Sequence, residues 1–177
     1  YLQVVNNLAS MHGRIFGDER GPGGHKVQHV AHMLKLLLPE LLAMQQFSEL
    51  GDQVAYLNSH SEMLLGACRA LSSMCATHSL KDVVGALRCL STQDASIPPA
   101  AILGTLGNCA VVSLRGSIGN ETSDAAEECA DIMLDVWTEL SSDYDVAAHL
   151  GPDLYPQFSS CAGAVFATYL EKQLHTA

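Results

Sequence analysis

Residues 123–140, SDAAEECADIMLDVWTEL, decide how the rest of the chain is interpreted, because they separate two kinds of side chain most clearly. At about 100° per residue, the acidic residues fall within one arc of roughly 120° on a helix. These residues, here called the acidic face, are Asp124, Glu127, Glu128, Asp131, Asp135 and Glu139. The opposite arc carries Ala126, Cys129, Ile132, Met133, Val136, Trp137 and Leu140. The pattern predicts a helix capped by Ser123, with one packed side and one negative side.

The acidic face has no positive partners nearby in the sequence. Residues 116–171 contain neither Lys nor Arg, whereas nine carboxylates fall between Glu121 and Asp145. Like charges four residues apart on a helix cost a few tenths of a kcal/mol each. Two interpretations follow: a solvated helix face, or a surface that meets a cationic one within the protein or on a partner. Trp137, the only tryptophan, is predicted to lie in the core.

Composition favours one folded domain. The chain has 177 residues, of which 48% are hydrophobic and 16% charged, so it can bury a core and intrinsic disorder is disfavoured. Nine Lys and Arg oppose nineteen Asp and Glu, giving a formal net charge of -10. This balance disfavours nucleic acid and anionic membranes as partners and predicts a partner with a basic surface.

The cysteines indicate a reducing compartment. Six occur singly, without a CxxC pair, and are interpreted as reduced core residues: Cys68, Cys75, Cys89, Cys109, Cys129 and Cys161. The sequon Asn120-Glu121-Thr122 is discounted because so short a motif often arises by chance. No signal peptide is recognised, and a cytosolic or nuclear setting is expected.

Helical periodicity extends over the whole chain. In the first half of the chain, helices are predicted at 1–16, from His25 to Pro39 with a continuation through Met44, and from a capping box at 59–62 to His78. In the second half, besides the helix at 123–140, they are predicted from Ser79 past Leu90, from Pro98 or Pro99 to Leu114, and at 153–174. Pro39 is predicted to kink or end its helix, and Gly116 and Gly119 to interrupt the chain. The helix through 100–114 is apolar nearly all round and is predicted to be a buried core helix, not a membrane span.

No alternating strand pattern occurs, so the chain is predicted to be all-α. Six to seven helices joined by short loops fit stacked antiparallel helical hairpins, as in a HEAT or armadillo-like α-solenoid. A closed helical bundle is the alternative. Both ends of the sequence interrupt a helical pattern, so residues 1–177 are interpreted as a single helical-repeat segment cut from a longer chain.

Enzymatic motifs are weak, and no catalytic residue, metal or cofactor is predicted. His25, His29 and His32 lie within an arc of about 60° on one helix, but no carboxylate stands at ligand spacing. The glycine-rich GDERGPGGHK at 17–26 lacks the Gly-Lys-Ser/Thr sequence of a phosphate-binding loop. A metal- or histidine-dependent enzyme with a closed pocket around His29 is the least favoured alternative.

Residues 133–140, MLDVWTEL, resemble the leucine-rich stretch ending in Trp-x-x-Leu of the importin-β-like nuclear transport receptors, the karyopherins. The periodicity of 154–169 is similar to the next helix of the exportin members of this family. A fainter similarity covers Tyr1-Leu2 and Met11-His12-Gly13, whereas 143–151 departs from the family pattern.

The resemblance implies an internal segment of a long superhelical receptor that shuttles between cytoplasm and nucleus. Its implied partners are protein cargo with a basic surface, the GTPase Ran through the full-length receptor, and nuclear pore proteins. Glu127, Asp131 and Asp135 are candidate contacts by their place on the acidic face alone. The second hypothesis is a general HEAT-like interaction scaffold unrelated to transport, which a pull-down insensitive to Ran-GTP would favour.

Overall fold

The computed structural model describes residues 23–93, 98–118 and 123–177, and every regular element in these residues is a helix. The all-α class predicted from the sequence is confirmed for this part of the chain. The helices are α1 (Gly23–Gln45), α2 (Leu50–Ser59), α3 (Ser61–Thr77), α4 (Leu80–Gln93), α5 (Pro99–Ile118), α6 (Asp124–Ser141) and α7 (Val146–Thr176). The predicted helix at 1–16, most of the glycine-rich loop after it, and the sequon at 120–122 lie outside the described residues.

Helix α5 is the centre of the fold. It contacts α1, α2, α4, α6 and α7, and its buried side chains include Ile102, Leu103, Leu106 and Leu114. By length and composition α5 could cross a membrane, but 67% of its most apolar window is buried inside the protein. The neighbouring helices therefore supply the apolar surroundings that this sequence requires, as predicted for a core helix.

The most extensive packing joins α5 to α7, α3 to α6, α1 to α4, and α5 to α6. Two of these pairs, α1 with α4 and α3 with α6, bring together helices that are separated by two others in the chain. These long-range contacts hold the three described segments together in one all-helical fold, and they do not establish an array of stacked hairpins.

Several predicted helix boundaries are confirmed. Helix α5 begins at Pro99, where the missing N–H of proline costs little. Helix α4 follows the predicted cap at Ser79, whose Oγ accepts from the Asp82 amide at 3.3 Å. The Asp82 carboxylate accepts in return from the Ser79 amide at 3.2 Å. This reciprocal pair satisfies two amide donors that the first turn of a helix leaves free.

Other boundaries differ from the prediction. The predicted continuation of α1 through Met44 is confirmed, since the helix runs through Pro39 to Gln45, and the differences lie in later elements. Helix α2 was not predicted; Ser59 is its last residue and donates to the Tyr56 carbonyl at 3.1 Å, so Ser59 does not begin the next helix as part of a capping box. Gly116 lies inside α5 instead of interrupting the chain. Gly116 is buried, and its packing against other helices outweighs its local preference.

Helix α7 consists of two helices joined at Gly151, which has φ 75° and ψ 174°. This backbone conformation is essentially restricted to glycine. The guanidinium of Arg88 on α4 donates to both carboxylate oxygens of Asp153, at 2.8 and 3.0 Å, and to the Leu150 carbonyl at 3.1 Å. Arg88 therefore bridges the break, and its hydrogen bonds lower the pKa of Asp153. The predicted helix at 153–174 corresponds to the longer of the two.

Candidate functional site

Helix α6 has one apolar side, which is buried, and one acidic side, which is exposed. The Ser123 hydroxyl accepts from the Ala126 amide at 3.3 Å, which confirms the predicted N-cap. The apolar side packs against α3 and α5. Its buried members are Ala126, Cys129, Ala130, Met133, Val136, Trp137 and Leu140, whereas Ile132 is half-buried. The side that the sequence predicted to be packed is thus the packed side.

Trp137 fixes the rotation of α6 about its own axis. Its side chain is completely buried, as predicted, and its indole nitrogen donates to the Leu106 carbonyl on α5 at 3.4 Å. Its ring lies 5.3 Å, centroid to centroid, from the ring of Phe158 on α7. One side chain therefore joins three helices, and the opposite side of α6 must face solvent.

The acidic face is exposed along its whole length. All six of its residues are exposed: Asp124, Glu127, Glu128, Asp131, Asp135 and Glu139. The structure thus brings together on one surface all the candidate site residues chosen from the sequence.

Two residues of the acidic face have positive partners from other helices, which the sequence did not reveal. Arg69 on α3 donates to the Glu128 carboxylate through Nε at 3.0 Å and also through Nη2. On α7, Lys172 Nζ lies 3.6 Å from Asp131 Oδ1. Such partly exposed pairs stabilise a fold by at most about 1 kcal/mol each. They tie α6 to its neighbours and leave the rest of the face unneutralised.

The other four carboxylates, on Asp124, Glu127, Asp135 and Glu139, have no Lys or Arg within ion-pair distance among the described residues. Asp124 and Glu127 lie in the first turn of α6, where the helix dipole offsets part of their repulsion. Asp135 and Glu139 lie beyond it, and no basic residue occupies the last turn. The negative charges of Asp135 and Glu139 are therefore offset neither by the helix dipole nor by an ion pair among the described residues.

A small cavity adjoins this C-terminal end. It has a volume of about 130 Å³ and lies between the end of α3 and the end of α6. Polar groups on its walls come from Cys75, His78 and Ser79 on one side and from Glu139, Ser142 and Asp143 on the other. Small-molecule and cofactor sites usually enclose at least ~300 Å³, so this cavity suits a smaller group.

The cavity contains a cysteine and a histidine, the residue types of a thiol nucleophile and its base. Burial, followed by the charge of Glu139, raises the pKa of Cys75 to about 12. A thiol with this pKa is protonated at neutral pH, whereas nucleophilic cysteines have lowered pKa values. The arrangement thus opposes thiolate chemistry at this cavity.

Across the cavity mouth, Asp143 is held as a carboxylate. It accepts from the Asp145 amide at 2.8 Å and lies 3.0 Å from Nδ1 of His149. The amide hydrogen bond and the contact with His149 lower its pKa. The negative charge of Asp143 therefore persists to lower pH than that of an ordinary aspartate.

Three cysteines, distant in sequence, meet in the core. Cys68 on α3 interacts with Cys109 on α5 and Cys129 on α6, and these hydrogen bonds, together with burial, raise the pKa of Cys68. All six cysteines are free, and Cys89 is the only one of them that is not buried. The prediction that the cysteines lie in the core is confirmed for the five that are buried. The meeting of Cys68, Cys109 and Cys129 could not be predicted from helical periodicity, because the three residues are far apart in the sequence.

The histidine hypothesis falls largely outside the described side chains. His32 is exposed, whereas the side chains of His25 and His29 are not among those described. Within the described residues, no group of three or more His, Cys, Asp or Glu is arranged to hold a metal ion.

Comparison with known proteins finds no protein-family model, no curated protein and no solved structure that matches this chain.

Proposed function

We propose that this chain is a protein-binding scaffold without catalytic activity, and that the acidic face of α6 docks a cationic surface of a partner protein. The observation that supports this most strongly is the exposure of six carboxylates on one helix face, four of them without an ion-pair partner among the described residues. A basic partner would offset their mutual repulsion on binding.

The mechanism in this proposal is electrostatic steering. A chain of net charge -10 attracts a cationic surface before contact, and the acidic face orients it. Exposed charges are screened over about 10 Å at 0.1 M salt, so steering weakens as salt is added. Such binding gains more in association rate and in specificity than in affinity.

The wider assignment in this proposal is a nuclear transport receptor of the importin-β-like family, most like an internal segment of exportin-4. Its support is the resemblance of residues 133–140 and 154–169. The partners would be protein cargo with a basic surface, Ran GTPase through the full-length receptor, and nuclear pore proteins, and the receptor would shuttle between cytoplasm and nucleus. The α-solenoid of stacked hairpins belongs to this assignment, since the observed packing establishes only an all-helical fold.

The docking proposal predicts a defined loss of affinity. In the Glu127→Gln/Asp135→Asn variant, binding of a fluorescent oligolysine peptide should weaken about twofold to thirtyfold at low salt, since each of the two exposed charges contributes roughly 0.2–1 kcal/mol. Fluorescence anisotropy measures this affinity, and the difference from the unsubstituted chain should shrink as salt is added.

A matched control separates the acidic face from net charge. Glu49→Gln/Asp52→Asn removes the same two kinds of charge from exposed positions at the start of α2. This control should retain nearly the full affinity of the unsubstituted chain. Equal weakening in both variants would mean that only the net charge attracts the peptide, and the docking proposal would be wrong.

A further inference from the structure

We propose that Tyr144, in the connection between α6 and α7, is a phosphorylation site for a protein tyrosine kinase that selects acidic substrates. The effect of the phosphate rests on the proposed function, because it would add negative charge beside Glu139, at the C-terminal end of the acidic face. The site itself rests on the exposure of Tyr144, on the burial of the other tyrosines and on the charges that flank it.

Tyr144 is the most exposed large apolar side chain in the part of the chain that the structure describes, with 96% of its surface in solvent. Its ring has an edge-on contact with the ring of His149, at 6.4 Å between the two centroids. The fold therefore barely restrains the ring, and a group added to its hydroxyl would displace little packing.

The other three tyrosines among the described residues lie inside helices. Tyr56 on α2 stacks on His60 at 4.1 Å between ring centroids, and Tyr169 on α7 is half-buried against the core. Tyr155, also on α7, is 40% exposed. A kinase must bring the hydroxyl of its substrate to its own catalytic base, which at these three positions requires part of a helix to open. Residues 142–145 instead join two helix ends, where local opening costs least.

The charges around Tyr144 indicate which kind of kinase would bind it. Asp143 and Asp145 flank it directly, and Glu139 lies in the last turn of α6. The hydrogen bond from the Asp145 amide, with the contact to His149, lowers the pKa of Asp143, so this carboxylate is ionised at neutral pH. Neither Lys nor Arg occurs in residues 116–171. Such a segment attracts a kinase with a basic substrate groove and repels one with an acidic groove.

The reaction transfers the γ-phosphoryl group of Mg-ATP to the phenol of Tyr144. The bond from the γ-phosphorus to the oxygen of the β-phosphate breaks, a bond from that phosphorus to Tyr144 Oη forms, and ADP leaves. The phenolic proton passes to the catalytic aspartate of the kinase. The phosphate adds about -1.5 to -2 charges at neutral pH. This charge joins that of Glu139 and should strengthen the attraction of a cationic partner.

The test incubates the folded chain with Mg-ATP and the catalytic domain of a tyrosine kinase that prefers acidic substrates. Tandem mass spectrometry should place one phosphate on Tyr144. Tyr144→Phe should abolish this phosphorylation, whereas the matched control Tyr155→Phe should leave it unchanged.

A charge variant tests how the kinase recognises the site. Asp145→Asn should lower kcat/KM about 1.5-fold to fivefold, the effect of one exposed charge. The Asp145 side chain makes no capping hydrogen bond to α7, so this substitution leaves the helix start intact. The phosphorylated chain should bind the fluorescent oligolysine peptide about twofold to thirtyfold more tightly at low salt, the effect of about two added charges.

The outcomes separate this inference from the docking proposal. Phosphate on another tyrosine instead of Tyr144, or an unchanged kcat/KM for Asp145→Asn, would overturn the site. Phosphorylation of Tyr144 that leaves the affinity for oligolysine unchanged would overturn its effect on docking. If Tyr144 is phosphorylated but oligolysine does not bind the acidic face of the unmodified chain, the docking proposal fails and the phosphorylation site stands.

Discussion

Trp137→Ala is expected to lower the free energy of unfolding by about 3–5 kcal/mol, the usual cost of removing a fully buried tryptophan side chain. The indole is completely buried, lies in tilted contact with the ring of Phe158 and donates to the Leu106 carbonyl. Removing it leaves a void between three helices and abolishes the hydrogen bond that the Leu106 carbonyl accepts from the indole. Urea unfolding followed by far-ultraviolet circular dichroism measures the change, since the variant has no tryptophan left to report by fluorescence.

Trp137→Phe provides the control if the alanine variant does not fold. The phenyl ring keeps the aromatic contact with Phe158 and fills part of the space, so its loss of stability should be clearly smaller. A loss below about 1 kcal/mol for Trp137→Ala would contradict the packing described here, because such small values are typical of surface positions.

Gly107→Ala is expected to lower the free energy of unfolding by up to about 2 kcal/mol. A Cβ at this position would lie 2.7 Å from both Cβ and Sγ of Cys161 on α7. Overpacking of this kind costs about 1–3 kcal/mol, which exceeds the ~1 kcal/mol that alanine gains over glycine inside a helix. Thermal and urea unfolding should both register the loss, because α5 and α7 form one of the most extensive contacts in the fold.

Gly163→Ala is the matched control for this steric argument. Gly163 is also inside a helix but exposed, and nothing lies within 4 Å of the Cβ that alanine would add. The same substitution should therefore stabilise the protein by up to about 1 kcal/mol. Equal effects at the two glycines would mean that helix propensity alone decides both, and that α5 and α7 are not in close contact at Gly107.

The features that the sequence predicted correctly depend on local periodicity. The two-sided pattern at 123–140 gave the bounds of α6, its cap and the buried position of Trp137. The nearly uniform apolar character of α5 gave its central place, since such a helix must be covered on all sides. These predictions succeeded because each depends on residues within a few turns of one another.

The features that the sequence did not predict depend on residues far apart in the chain. Arg69 pairs with Glu128 across 59 positions, and neither residue carries a local sign of the other. The same holds for the cavity that joins Cys75 to Glu139. Gly116 was predicted to interrupt the chain, yet it lies buried inside α5, because packing against other helices outweighs a local preference.

The carboxylates of the acidic face fall into two groups, those paired within the fold and those without a partner among the described residues. Glu128 and Asp131 have partners that hold α6 against α3 and α7, so their charges serve the fold. Glu127 and Asp135 have no such partner among the described residues. A sequence pattern alone could not divide the six carboxylates into these two groups, and the division decides which ones a binding experiment should alter.

The most direct test of the central claim is to map where a basic peptide binds. Two-dimensional NMR of the labelled chain with an unlabelled oligolysine peptide at low salt should shift amides along the exposed side of α6, with the largest changes near Glu127 and Asp135. Those shifts should fade as salt is added. Binding that moves amides elsewhere and leaves α6 unchanged, or binding that persists undiminished at high salt, would contradict the account.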